Sequence, residues 1–147
     1  MRTRRIALIS VLALLAACSK PVGTSYTEMS VSLPPPKAGE GRVFFYTPPV
    51  RFGGDVQPVV KLNGTIVGFA IASGFFFVDR PAGRYEATGV TAADGRLEFP
   101  LAAGEAKYVR ANPPSAFSVN AVHFLLVPAP EGRADMAGLV YSGIRAP

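Results

Sequence analysis

The chain has little of what most chemistry needs: one cysteine, one histidine and no tryptophan in 147 residues. A single cysteine excludes an intrachain disulfide. One cysteine and one histidine are too few ligands for a Cys/His zinc centre. Asp55, Asp79, Asp94 and Asp135 are scattered and show no EF-hand spacing, so no metal is expected. Gly53-Gly54 and Gly64/Gly68 do not form a phosphate-cradling loop, and no Walker lysine follows them. His123 sits inside the apolar run Ala121-Val122-His123-Phe124-Leu125 without an identifiable nucleophile or carboxylate partner. It reads as a structural histidine, and no catalytic residue is assigned. No Lys/Arg run occurs, which argues against a nucleic-acid partner. Long amphipathic helices are absent too.

Charge is concentrated at one place. The formal net charge is +5, but Arg2, Arg4 and Arg5 supply much of it. Without them, 12 basic residues face 10 acidic ones. These three arginines precede an apolar run from Ile6 to Ala17. As a helix, that run rises about 18 Å, short of the roughly 30 Å hydrocarbon core of a bilayer. A basic segment, a short apolar run and small residues make a signal peptide, expected over residues 1–17.

Leu15-Ala16-Ala17-Cys18 follows. It resembles the lipobox of bacterial lipoproteins, with a branched apolar residue and two small ones before a cysteine. The resemblance implies a diacylglyceryl thioether on Cys18, cleavage before it, and acylation of the new amine. That covalent lipid would be the only prosthetic group, with no cofactor besides, and the membrane its first partner. Each buried CH₂ adds about 0.8 kcal/mol of membrane affinity, so two or three acyl chains hold a protein in place. Ser19, rather than Asp, resembles the outer-membrane sorting signal of Gram-negative lipoproteins. The domain is then expected in the periplasm.

Residues 18–41 read as the lipidated cysteine and a flexible tether, rich in Ser, Thr, Pro, Gly and Lys. Val31 and Leu33 could pair within it as a short edge strand. From Arg42 to Pro147 the pattern changes to short apolar or alternating runs between turn residues. Strands are expected near 43–47, 56–62, 65–71, 75–79, 83–91, 96–102, 106–111 and 117–127. Asn63-Gly64 predicts a type I′ hairpin turn. Pro100 cannot donate a ladder hydrogen bond and predicts an edge strand. Val43–Tyr46 and Val122–Val127 are apolar on both faces, as central strands would be. Phe75-Phe76-Phe77 reads the same way, or as an aromatic patch for a partner. A helical turn is expected around Arg133 to Leu139. The tail with Leu139, Val140, Tyr141 and Ile144 could close the sheet or dock elsewhere. Eight short strands fit an all-β, two-layer antiparallel sandwich. Ten phenylalanines and five tyrosines supply its core area.

The ordered motifs Arg42-Val43-Phe44-Phe45-Tyr46, Leu62-Asn63-Gly64 with Val67-Gly68, Pro81-Ala82-Gly83-Arg84-Tyr85, Ala103-Gly104 and Lys107-Tyr108-Val109-Arg110 resemble DUF2846, a family of uncharacterised bacterial lipoproteins. The likeness covers about residues 42–111. Thr47-Pro48-Pro49, with Arg51 displaced, stands where the family has Arg-Pro. The resemblance implies a prealbumin- or immunoglobulin-like envelope domain and supplies no catalytic residues.

Arg51, Arg84, Tyr85, Tyr108 and Arg110 are the candidate binding surface, if the fold gathers them for an anion or glycan. Three function classes follow. The first is a non-enzymatic binding or assembly module with an envelope protein as partner, for instance through a free strand edge. The second is a peptidoglycan- or glycan-binding lipoprotein. The third is a hydrolase, which needs a cleft with convergent Ser, Asp/Glu or His123.

Overall fold

The computed structural model describes residues 23–51, 57–90, 95–112 and 121–143. Two sheets pack face to face, giving the expected all-β sandwich. Its strands are β1 (Glu40–Thr47), β2 (Val59–Leu62), β3 (Thr65–Phe69), β4 (Gly74–Pro81), β5 (Gly83–Thr88), β6 (Leu97–Leu101), β7 (Ala106–Asn112), β8 (His123–Val127) and β9 (Val140–Tyr141). The helices are α1 (Tyr26–Ser30) and α2 (Ala129–Met136). One sheet has the order β8-β7-β1-β4-β9 and the other β3-β2-β5-β6. Each of the eight expected strands is present. The expected segments at 56, 91 and 117–120 lie outside the described residues, as does Ile144. No helix among the described residues is long and apolar enough to cross a membrane.

Alternation along the strands sorts side chains into two cores. Val43, Phe45, Phe76 and Val109 from the larger sheet meet Val60, Leu62, Ala87, Phe99 and Leu101 from the smaller one. Phe45 and Phe76 stack here with ring centroids 5.1 Å apart. The opposite face of the larger sheet carries Phe44, Tyr46, Phe75 and Tyr108, covered by Tyr26 of α1, Met136 of α2 and Leu139. Phe75-Phe76-Phe77 therefore lies on an interior strand, with Phe75 in one core and Phe76 in the other.

Turn chemistry acts as its residue types demand. Asn63 and Gly64 take φ of 48° and 79° between β2 and β3, as a type I′ turn requires. Asn63 also accepts from the Glu86 amide at 2.8 Å, tying the turn to β5. The β2–β3 register shifts between Val60 and Lys61. This bulge turns both Val67 and Gly68 inward and leaves Ile66 and Phe69 outward. Pro100 lies on β6, an edge strand, as expected.

Four details differ from the sequence reading. First, β1–β7 and β4–β9 pair in parallel, while the remaining strand pairs are antiparallel. Second, β8 is an edge strand despite its apolar run. Its outward Leu125 is half exposed, while Phe124 and Leu126 pack on the inner core. Third, α2 starts at Ala129, with Pro130 in its first turn, where a missing N–H costs nothing.

Fourth, the described part of the expected tether is folded. Ser25 caps α1 and forms a capping box with Glu28. Tyr26 enters the outer core, and Met29 and Leu33 pack against it. Backbone bonds run from Tyr26 N to Leu139 O and from Tyr141 N to Thr24 O, both 2.9 Å. Val31 and Leu33 do not pair as a strand: Val31 caps the end of α1 and is 85% exposed. A helix, not a ladder, suits this stretch because it has one aromatic to bury and a capping box to start it. The tail resolves in favour of the sheet, with Val140-Tyr141 added beside β4.

Candidate functional site

Arg110 stands at the centre of a polar cluster that joins three side chains, Tyr46, Glu131 and Asp135. It projects from β7 on the face that bears Tyr108, between Tyr46 of β1 and helix α2. Its Nε donates to the Tyr46 hydroxyl at 3.2 Å. Its terminal nitrogen donates to Glu131 at 2.9 Å and to Asp135. The Tyr46 hydroxyl in turn donates to Asp135 Oδ2 at 2.7 Å. Glu131 and Asp135 are one helical turn apart, so both carboxylates reach the same guanidinium.

The electrostatics follow from burial and these bonds. Burial, then the Asp135 hydrogen bond, pushes the Tyr46 hydroxyl up to about 12. Tyr46 donating to Asp135 holds that carboxyl below the usual range, against burial and helped by Arg110. Burial opposes the Arg110 charge, but Asp135, Tyr46 and Glu131 together hold it more firmly protonated than usual. Tyr46 thus stays neutral, and the Arg110 cation is shared between the two carboxylates, Glu131 and Asp135. Every group faces another member of the cluster, which makes it a clamp fixing α2 to the sheet.

A second pair lies on the same sheet face. Arg42 forks onto Asp79 with both N···O distances 2.7 Å. Its guanidinium lies 4.5 Å from the Phe77 ring centroid. Arg42 is only 6% exposed, so both the fork and the ring keep a near-buried cation satisfied.

The candidate binding surface does not converge. Tyr108 is buried, stacked on Phe44 with centroids 5.2 Å apart. Arg110 is engaged in the clamp on the same face of the larger sheet. Arg84 is exposed on the outer face of the smaller sheet, on the opposite side of the sandwich. Tyr85 points inward from β5 and packs on the inner core, its hydroxyl donating to Pro81 O at 2.7 Å. Arg51 is exposed beyond the end of β1. Tyr108 and Arg110 share one face of β7, while Arg84, Tyr85 and Arg51 lie elsewhere, and neighbouring positions on a strand face opposite ways. Tyr85 and Arg84 are separated by that rule alone.

Tyr46, Asp135, Glu131, Arg42 and Asp79 are not among the residues that the sequence reading places in the candidate binding surface. The i, i+4 spacing of Glu131 and Asp135 was a usable signal once a helix was placed there. His123 is exposed on β8, opposite Asn112. A cleft of about 320 Å³ opens where β7, β8 and α2 meet, lined by Glu105, Lys107, Leu126, Val127 and Ala129. Lys107 pairs with Glu105 at 2.7 Å. That bond, followed by the Ala102 amide, lowers the Glu105 pKa. No group of three or more His, Cys, Asp or Glu side chains that could hold a metal ion occurs among the described residues. Leu15, Ala16, Ala17 and Cys18 lie outside the described residues.

Fold and clusters together define an all-β sandwich with a helix-covered face. No protein family, no curated protein and no solved structure matches the chain.

Proposed function

We propose that the protein is a lipid-anchored, non-catalytic β-sandwich module of the bacterial envelope. Acylated Cys18 holds it to the periplasmic face of the outer membrane, where it binds or helps assemble an envelope protein. The single observation that carries this reading is the spacing between lipobox and fold. Leu15-Ala16-Ala17-Cys18 ends six positions before Thr24, the first of the described residues to bond to the sheet. A signal of that form, directly ahead of a compact domain, suits anchoring. The order of motifs from Arg42 to Arg110, which resembles the DUF2846 lipoproteins, supports the same reading. So does the chemistry of the polar clusters. Their arginines and carboxylates satisfy each other, as structural groups do.

Fractionation of a Gram-negative host expressing the full chain tests this. The native protein is expected in the outer-membrane fraction and Cys18→Ser outside it. Equal soluble recovery of both would reject the proposal.

A further inference from the structure

The chain that leads from Cys18 enters the fold at the side of the sandwich where β3 is the edge strand of the smaller sheet. Thr24, Ser25 and Tyr26 run along β9, which lies beside β4 at the edge of the larger sheet. Across the inner core, β3 lies over β4: a Cβ at Gly68 would sit 2.6 Å from the Phe76 ring. At the other side of the sandwich, β6 lies against β8. Entry point and β3 therefore share a side, separated by about one sheet spacing, ~10 Å.

On that side, β3 is the edge strand of the smaller sheet, and its bulge turns Ile66 and Phe69 onto that sheet's outer face. They are 53% and 36% exposed. Their cross-strand partners on the same outer face are Lys61, opposite Ile66, and Val59, opposite Phe69. Apolar side chains with one cation beside them match the boundary between acyl chains and phosphate headgroups. Toward β6 the same face turns polar, with Glu86 paired to Arg96 at 2.8 Å.

The length of chain outside the fold limits where a bilayer can be. Four residues lie between Cys18 and Gly23, which makes five Cα-to-Cα steps. Fully extended they reach about 17 Å. That is roughly one sheet spacing plus one strand spacing, so the domain cannot stand far from its lipid. Resting on the proposal that Cys18 is acylated, we infer that the sandwich rests on the membrane by its β3 corner, where the β3/β9 side meets the outer face of the smaller sheet, with Ile66 and Phe69 in the headgroup boundary and Lys61 on lipid phosphate. The partner surface is then the lipid that carries the anchor, and the β8 edge faces away.

The test uses full-length lipidated protein in vesicles of brominated phosphatidylcholine and phosphatidylethanolamine. A bimane label is placed at Ile66→Cys, or at Leu125→Cys on the far edge, in two separate variants. Intact mass first establishes the lipid on Cys18. Bromine quenching is expected to be several-fold stronger at position 66 than at 125. With lipid present, equal quenching or stronger quenching at 125 overturns the orientation and leaves the anchoring intact. A protein without lipid on Cys18 overturns both. Should the label itself disturb β3, Phe69→Ser in a Leu125→Cys background gives a second reading. Loss of the seated orientation in Phe69→Ser lets the tethered domain turn and is expected to raise the bromine quenching at 125, and no change contradicts the seated orientation.

Discussion

Tyr26 stands edge-on to Phe75, ring centroids 5.4 Å apart and planes at 89°. It meets Phe44 in the same way at 5.7 Å. Edge-to-face pairs of this kind add about 0.5–1.5 kcal/mol beyond area burial. One aromatic thus fastens the N-terminal segment to β1 and β4, two interior strands of the larger sheet. Tyr26→Ala should destabilise the domain by about 3 kcal/mol, the scale of a large-to-small core change. Urea unfolding of a Cys18→Ser background measures it. A change near zero would mean that residues 23–33 are a tether after all.

Gly132 inverts the usual helix preference. Ala normally stabilises a helix by about 1 kcal/mol over Gly. Here a Cβ would sit 2.6 Å from Tyr108 Cβ and Cγ. Gly132→Ala should therefore cost about 1–3 kcal/mol, the range for overpacking. A raised unfolding midpoint would show that α2 moves freely on β7.

The Arg42–Asp79 fork joins directly opposed residues of β1 and β4. Asp79→Asn keeps the shape but removes a charge-assisted partner of a near-buried guanidinium. The expected loss is about 2 kcal/mol. Arg42→Met, which removes the cation itself, should cost less than Asp79→Asn, because no buried charge is left alone. The opposite ranking in urea unfolding would contradict the assignment.

How much of this was legible beforehand differs by feature. The strands from Arg42 onward were, because alternation and punctuation such as Asn63-Gly64 are local signals. The parallel pairing of β1 with β7 was not, since it joins segments far apart in sequence. Nor was the edge position of β8, whose apolar run describes burial on its inner face and not its place in the sheet. The fold of residues 24–33 was written in Ser25 and Glu28, but the prolines that follow suggested an extended chain. Arg110 drew notice as an arginine near tyrosines. Its partners are set by the docking of α2, which depends on three-dimensional packing of Met136 and Tyr108.

The clamp predicts opposite responses to acid and base. Asp135 has a folded pKa below its unfolded value. Its contribution is complete above the unfolded pKa, about 3.9, and is lost as pH falls through the folded one. Tyr46 is raised to about 12. Its contribution is complete below an unfolded value of about 10 and is lost as pH rises between the two. Unfolding midpoints measured across pH should fall at both extremes. Asp135→Asn should flatten the acid limb, and Tyr46→Phe the alkaline limb. Unchanged limbs in both variants would show the clamp open in solution.

Anchoring through one sulfur is best tested by the mass of the N-terminal peptide from membrane-extracted protein. The expected peptide begins at Cys18 and carries a diacylglyceryl thioether with an acylated amine. A peptide that retains residues 1–17 and a free thiol, recovered from the soluble fraction, would contradict the account.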